Sequence, residues 1–350
     1  MTLISLGVPT VARPAAGMPT TGPLVDTFGR VATDLRVSLT DRCNLRCTYC
    51  MPAEGLDWLP GEQLLSPDEL IRLLTIAVTR LGITSVRFTG GEPLVVRHLE
   101  DVVAATAALR PRPEIAVTTN GLGLARRARA LKDAGLDRVN VSLDSVDRER
   151  FAAITRRDRL ADVLAGLTAA RDAGLTPVKV NAVLHPDTGL DDAVALLRHC
   201  LDHGYQLRII EQMPLDAEHQ WQRGRSLEAA DILAALGTHF TLTPDPAPRG
   251  SAPAQLWRVD GGTATVGVIA SVSEAFCAAC DRTRLTADGQ VRNCLFAREE
   301  SDLRRLLRGG ADDDAIEQAW RAAMWTKAAG HGINDPGFEQ PSRPMSAIGG

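Results

Sequence analysis

From about residue 34 to 215 the chain repeats one pattern: a short apolar run, a polar loop, an amphipathic stretch of helical period, and a glycine that ends it. The apolar runs are LRVSLT (Leu35–Thr40), TSVRFT (Thr84–Thr89), IAVTTN (Ile115–Asn120), RVNVSL (Arg138–Leu143), VKVNAV (Val178–Val183) and LRIIEQ (Leu207–Gln212). Each is short, β-branched and bounded by polar residues, which predicts a strand. Helices are predicted between them. One starts at Ser66, with Pro67 in first position and Glu69 three residues after the cap, a capping box. Others cover Arg97–Leu109, Ala125–Ala134, Arg159–Ala173 and Leu190–Asp202, with Gly82, Gly135, Gly174 and Gly204 as stops.

Alternating strands and helices predict an α/β fold with parallel strands and right-handed crossovers. Six units fall short of an eight-fold barrel, so the expected core is an open, partial (βα)6 TIM-like barrel over residues 28–215, with its reaction centre at the C-terminal ends of the strands. After 216 the pattern changes. A helix near Ser226–Leu236, a Pro-rich link (Pro244–Pro253), two hairpin signals at Gly261–Gly262 and Asp288–Gly289, and helices at Ser301–Arg308 and Asp313–Ala329 read as an α+β region, 216–335, that closes off the barrel. Residues 336–350 look irregular and end in Gly-Gly.

Composition adds few constraints. At 45% hydrophobic and 23% charged, 350 residues are ordinary for a globular chain with a sizeable core. A net charge of -4 advertises neither nucleic acid nor a polyanionic surface, so any anion site must be built locally. No apolar run approaches the ~18 residues of a membrane span. Residues 1–27 read as a flexible extension; a signal peptide lacks its basic start here, and Pro9 and Pro14 break the one apolar stretch. A cytoplasmic chain follows, in which seven cysteines are ligands or catalysts rather than disulfides.

The cysteines are grouped. Cys43, Cys47 and Cys50 directly follow the first strand, Cys277, Cys280 and Cys294 lie near the second hairpin, and Cys200 alone falls on an apolar helical face, where it reads as a small buried residue. Structural zinc almost always takes four protein ligands, and a ferredoxin-type cluster takes four cysteines. Neither trio has a near fourth. A cubane held by three thiolates keeps one iron open for a second molecule, which is a catalytic arrangement. Zinc with a distant fourth ligand stays open as the rival for both trios.

Cys43-Asn44-Leu45-Arg46-Cys47-Thr48-Tyr49-Cys50 resembles the signature of the radical S-adenosylmethionine (SAM) superfamily, and Thr89-Gly90-Gly91-Glu92-Pro93, at the end of the second strand, resembles the run that meets methionine in that superfamily. With TTNG, NVSLD, KVN, IEQMPLD, FCAACDRTRL, RNCLF and the final Gly-Gly, the chain from about Phe28 to Gly350 resembles the GTP 3′,8-cyclase (MoaA) family of molybdenum-cofactor biosynthesis. Gln212, where an apolar residue is commoner, and a longer amino terminus are the departures.

The resemblance implies two [4Fe-4S] clusters, one on Cys43, Cys47 and Cys50, the other on Cys277, Cys280 and Cys294. It implies SAM contacts at Tyr49, Gly91, Ser142 and Met213, and GTP contacts at Arg36, Arg87, Thr118, Lys179, Arg282, Thr283 and Arg284. It implies a lyase in which a 5′-deoxyadenosyl radical removes the ribose 3′ hydrogen and GTP becomes (8S)-3′,8-cyclo-7,8-dihydroguanosine 5′-triphosphate, with Gly349 and Gly350 reaching the active site. A reducing electron donor, a homodimer and handover to cyclic pyranopterin monophosphate synthase are implied as partners, with neither nucleic acid nor membrane. The residues agree in one respect: Arg36, Arg87, Lys179 and Arg208 lie within or beside apolar strands, where a cation is costly unless it meets an anion such as a triphosphate. The competing readings are another two-cluster radical SAM enzyme, a non-catalytic iron–sulfur electron carrier, and a zinc-dependent nucleic-acid binder, the last weakened by 4% aromatics.

Overall fold

A computed structural model describes residues 16–349. The first six strands and helices follow the expected repeat: β1 (Asp34–Ser38), α1 (Pro67–Thr79), β2 (Ser85–Thr89), α2 (Leu99–Ala108), β3 (Glu114–Thr119), α3 (Leu124–Asp133), β4 (Arg138–Ser142), α4 (Arg148–Thr155), α5 (Leu160–Asp172), β5 (Lys179–Val183), α6 (Gly189–His203) and β6 (Gln206–Ile210). The capping box at Ser66 forms in both directions, Glu69 N–H to Ser66 Oγ at 3.2 Å and Ser66 N–H to Glu69 Oε2 at 2.8 Å. Helix α4 has no counterpart in the sequence reading. Asp147 caps it, accepting from the Arg150 N–H at 2.9 Å.

The remaining elements are α7 (Ala229–Gly237), β7 (Leu242–Pro244), β8 (Gln255–Val259), β9 (Thr265–Ile269), β10 (Arg282–Leu285), β11 (Gln290–Arg292), β12 (Ser301–Asp302), α8 (Leu303–Arg308), α9 (Asp313–Trp325) and α10 (Met345–Ile348). The twelve strands of the described residues form one open sheet in the order β12-β11-β10-β1-β2-β3-β4-β5-β6-β9-β8-β7. The C-terminal strands add to both sides: β10 lies parallel to β1, and β9 parallel to β6. Two local expectations need correction. The last long helix stops at Trp325, because the carbonyls of Ala328 and Ala329 turn to the Arg30 guanidinium. The tail is not wholly irregular: α10 forms where the Met345 N–H meets the Leu215 carbonyl at 2.9 Å.

The alternation along the strands decides where function sits. Leu35, Val37, Val86, Phe88, Ile115, Val117, Val139, Val141, Val180, Leu207 and Ile209 are fully buried. Burial of such side chains stabilises by roughly 1.5–3 kcal/mol each. The intervening positions, Arg36, Arg87, Thr118, Asn140, Ser142, Lys179, Asn181 and Arg208, face the other way and line a cavity of about 390 Å³. One face of the sheet is thus packed core, and the other turns its polar strand residues into a chamber.

Candidate active site

The first cysteine loop leaves β1 and is held by backbone from two directions. On one side the Gly91 N–H donates to Thr40 O at 2.7 Å and the Glu92 N–H to Arg42 O at 2.8 Å. A Cβ on Gly91 would meet the carbonyl oxygens of Asp41 and Arg42 at 2.3 Å. The paired glycines therefore let β2 approach the cysteine loop itself. Glu92 is buried and ties strand ends together, accepting from Leu94 N–H (2.8 Å), Thr119 Oγ1 (2.6 Å) and Asn120 N–H (2.6 Å); burial raises its carboxyl to about 7. On the other side, the end of α4 accepts from the loop, Thr155 O from Arg46 N–H at 3.1 Å and Ile154 O from Thr48 N–H at 2.9 Å.

All seven cysteines are free thiols. Cys277 opens a single 3₁₀ turn, closed by the Cys280 N–H to Cys277 O at 3.1 Å, and Cys294 follows β11. Cys50 of the first trio and Cys277, Cys280 and Cys294 of the second line the same cavity. Among the described residues, no group of three or more His, Cys, Asp or Glu side chains is placed to hold a single metal ion.

The donor chemistry fits anionic clusters. The Leu45 N–H reaches Cys43 Sγ at 3.4 Å, Asn120 Nδ2 reaches it at 3.7 Å, and Lys327 Nζ reaches Cys280 Sγ at 3.3 Å. Without such a group the first trio prefers to stay protonated. Burial raises Cys43; burial and then the Asp144 charge raise Cys47 well above the usual thiol range; burial and then Cys43 push Cys50 up to about 12. Burial also raises Cys277. At Cys280 burial is outweighed by Arg282 and Lys327, and its thiol lies below the ordinary value. Cys200 is buried in the core, as expected.

Of the residues expected at SAM, Tyr49, Ser142 and Met213 line the cavity, while Gly91 packs against the cysteine loop. The Tyr49 hydroxyl donates to Asp144 Oδ2 at 2.8 Å, and burial raises Asp144 to about 6. Of those expected at GTP, Arg36, Arg87, Thr118, Lys179, Arg282 and Arg284 line the cavity. Thr283 does not: it is fully buried behind the sheet, where its hydroxyl accepts from Trp320 Nε1 at 3.2 Å. Alternation along β10 sends Arg282 and Arg284 forward and the residue between them back.

Register brings the cations together. Arg284, Arg36 and Arg87 are directly opposed across β10, β1 and β2. Like charges so placed repel. Burial, and then Arg36, lowers Arg87 to about 9; burial, and then Arg138 and Arg208, lowers Lys179 to about 8. Arg208 lies over Gly267 of β9, where a Cβ would meet its Cδ at 2.6 Å. Asn140, Asp144 and Asn181 fall in the NVSLD and KVN runs but take no role there, although the two-residue alternation from Arg138 and from Lys179 points to the two asparagines; Gly267 carries no signal.

The tail enters the same space. Arg343 grips Asp288 at 2.7 and 3.1 Å, Met345 lines the cavity, and the Gly349 carbonyl accepts from Arg284 Nη1. A Cβ on Gly349 would meet Ser38 Oγ at 2.4 Å and Thr89 Cγ2 at 2.7 Å. Gly350 lies outside the described residues, as do residues 1–15 of the expected extension.

Residues 37–200 match the Radical SAM superfamily, and residues 205–333 match Molybdenum Cofactor Synthesis C. Fold, paired cysteine trios and basic chamber thus define a radical SAM enzyme with a molybdenum-cofactor C-terminal part. A GTP 3′,8-cyclase of Mycobacterium sp. (strain KMS) is 91% identical over 350 residues, covering 100% of both chains. GTP 3′,8-cyclase 2 of Mycobacterium tuberculosis is 74% identical over 360 residues, again covering 100% of both. The chain belongs to the GTP 3′,8-cyclase family. SuiB of Streptococcus suis, solved with S-adenosylmethionine, has the same fold, with a TM-score of 0.57 at 14% identity over 83% of this chain and 68% of that one. Among the described residues no helix is long and apolar enough to cross a membrane.

Proposed function

We propose that the cavity holds GTP between the two cysteine trios, with its triphosphate on Arg36, Arg87, Lys179, Arg208 and Arg284 and its guanine toward Cys277, Cys280 and Cys294. The enzyme converts GTP to (8S)-3′,8-cyclo-7,8-dihydroguanosine 5′-triphosphate, the first step of molybdenum cofactor biosynthesis. The observation that supports this placement is the row Arg284–Arg36–Arg87, in which Arg36 is opposed to Arg284 on one side and to Arg87 on the other, with Arg284 buried and the other two half-buried. Such a row is costly alone and becomes favourable around a polyphosphate, which guanidinium groups match bidentately.

Cys43, Cys47 and Cys50 hold the cluster that meets SAM; Cys277, Cys280 and Cys294 hold the other. When bound, the first cluster and SAM supply the one-electron cleavage that begins hydrogen-atom removal from the ribose. The chain's own residues position and enclose. Tyr49, Ser142 and Met213 flank SAM, and Asp144 fixes the Tyr49 hydroxyl. The cation row fixes the triphosphate, so the ribose is presented in one orientation. The tail fills the chamber beside Arg284 and excludes water there.

The enzyme draws its electrons from a reducing donor, works in the cytoplasm where thiols stay reduced, acts as a homodimer, and hands its product to cyclic pyranopterin monophosphate synthase. The test uses anaerobically prepared protein with SAM and dithionite. Formation of 5′-deoxyadenosine should depend on GTP and be matched by cyclised nucleotide; uncoupled, GTP-independent cleavage alone would reject the assignment.

A further inference from the structure

Lys327 follows the end of α9 and is 4% exposed. Among the described residues its ammonium meets the Arg282 carbonyl at 2.9 Å, Cys280 Sγ at 3.3 Å and the Cys280 carbonyl at 3.4 Å, and it pairs with no carboxylate. Removing an ammonium from water costs several kcal/mol unless an opposite charge answers it. Of these three partners only the sulfur can carry a full negative charge.

The position is held deliberately. The Arg30 guanidinium donates to Cys277 O at 2.8 Å, Ala329 O at 2.8 Å and Ala328 O at 2.6 Å, clipping the residues just after Lys327 to the loop that bears Cys277 and Cys280. Asp26 fixes Arg30 in turn, Oδ2 to Nε at 2.6 Å. At the first trio the nearby cation, Arg46, donates to the Cys43 carbonyl at 2.8 Å and not to its sulfur. The groups that reach Cys43 Sγ, the Leu45 N–H and Asn120 Nδ2, are neutral.

We propose that Lys327 is a positioning residue of the second cluster, whose ammonium holds the Cys280 corner and raises that cluster's reduction potential. Hydrogen bonds and charge at the ligand sulfurs are what a protein uses to set such potentials. A cation at one corner favours the form with one more electron. The two clusters are thereby made electronically unequal by a neighbouring residue, although the protein ligands of each are three cysteines. The inference rests on the two-cluster reading of the site.

The experiment is a redox titration of the anaerobic, full-length holoenzyme followed by electron paramagnetic resonance, with dithionite as the one-electron reductant. Lys327→Met and Lys327→Gln should shift the second cluster's reduction equilibrium about tenfold toward the oxidised form, about 59 mV more negative for one electron, with the first cluster unmoved. Lys327→Arg, which keeps the charge, should restore most of the shift. An unmoved second cluster, an equal fall in both clusters, or an Arg variant as shifted as Gln overturns the proposal. If the neutral variants do not fold, wild-type protein labelled with ¹⁵N-lysine decides: the reduced second cluster should show a ¹⁵N hyperfine coupling, and its absence overturns the proposal. Iron analysis separates the two layers. About four irons per chain removes the two-cluster reading together with this proposal, whereas about eight with no Lys327 effect removes this proposal alone.

Discussion

Arg284 donates a hydrogen bond to the Gly349 carbonyl, joining the last described residue of the tail to a strand that lines the reaction chamber. Gly349 sits at φ +84°, with Ser38 and Thr89 where a Cβ would be. Gly349→Ala must therefore pull the tail back or twist it. Turnover should fall by about 100-fold, the scale of a 1 Å misplacement, while iron content and secondary structure persist. Steady-state rates beside iron analysis check this; full activity in the alanine variant rules out a tail role. The same is expected of Gly350→Ala.

Each cysteine trio should answer for its own metal. Alanine at Cys43, Cys47 or Cys50 should leave about four irons per chain and no SAM cleavage, and alanine at Cys277, Cys280 or Cys294 about four irons with SAM cleavage no longer coupled to cyclisation. Loss of all iron from a single substitution would mean the trios share one centre.

Lys179 gives a pH signature. Burial, and then the charges of Arg138, Arg208 and Arg87, lower it from 10.5 to about 8. Free enzyme loses this positive charge as pH rises through about 8, so GTP affinity should weaken there, and Lys179→Gln should flatten that part of the profile. The stability effect has the opposite sign. Between about 8 and 10.5 the unfolded chain holds the proton and the folded chain does not, so this group's contribution to nucleotide-free stability increases with pH across that window. Binding titrations and thermal melts from below to above pH 8 check both.

Gly267→Ala tests the Arg208 placement. Its Cβ would fall 2.6 Å from Arg208 Cδ, so the guanidinium must move. KM for GTP should rise about tenfold, a loss of about 1.4 kcal/mol of binding, with kcat little changed. A fall in kcat at constant KM would place Arg208 elsewhere in the reaction.

Asp147→Ala tests α4 as the support of the cysteine loop. Losing the cap should cost about 1 kcal/mol of stability. Because Ile154 and Thr155 accept from the loop, iron should leave the first cluster faster under chelation than in the parent enzyme, with the second unaffected. Equal release rates would detach α4 from the site.

Much of this was legible along the chain. Ser66 and Glu69 announced α1, the strand runs fell within a residue or two of β1 to β6, and the cysteine spacings singled out all six residues of the trios. Helix α4 escaped because it is short and weakly amphipathic, with a lone aspartate cap as its signal. Thr283 lies behind the sheet for a different reason: a motif names consecutive residues, while a strand sends them to opposite faces.

The sequence by itself determined the repeat, the ligand types and their spacing, because helix caps, strand alternation and cysteine clustering act over a few residues. The tertiary structure alone decided that Arg284, Arg36 and Arg87 form one row, that Lys327 faces Cys280, and that Gly349 fits between Ser38 and Thr89. These relationships join positions up to hundreds of residues apart. The Arg row exists because parallel pairing fixes the register of β10, β1 and β2, and the other two because the segment after α9 and the tail pack back onto the sheet, which no local signal along the chain specifies.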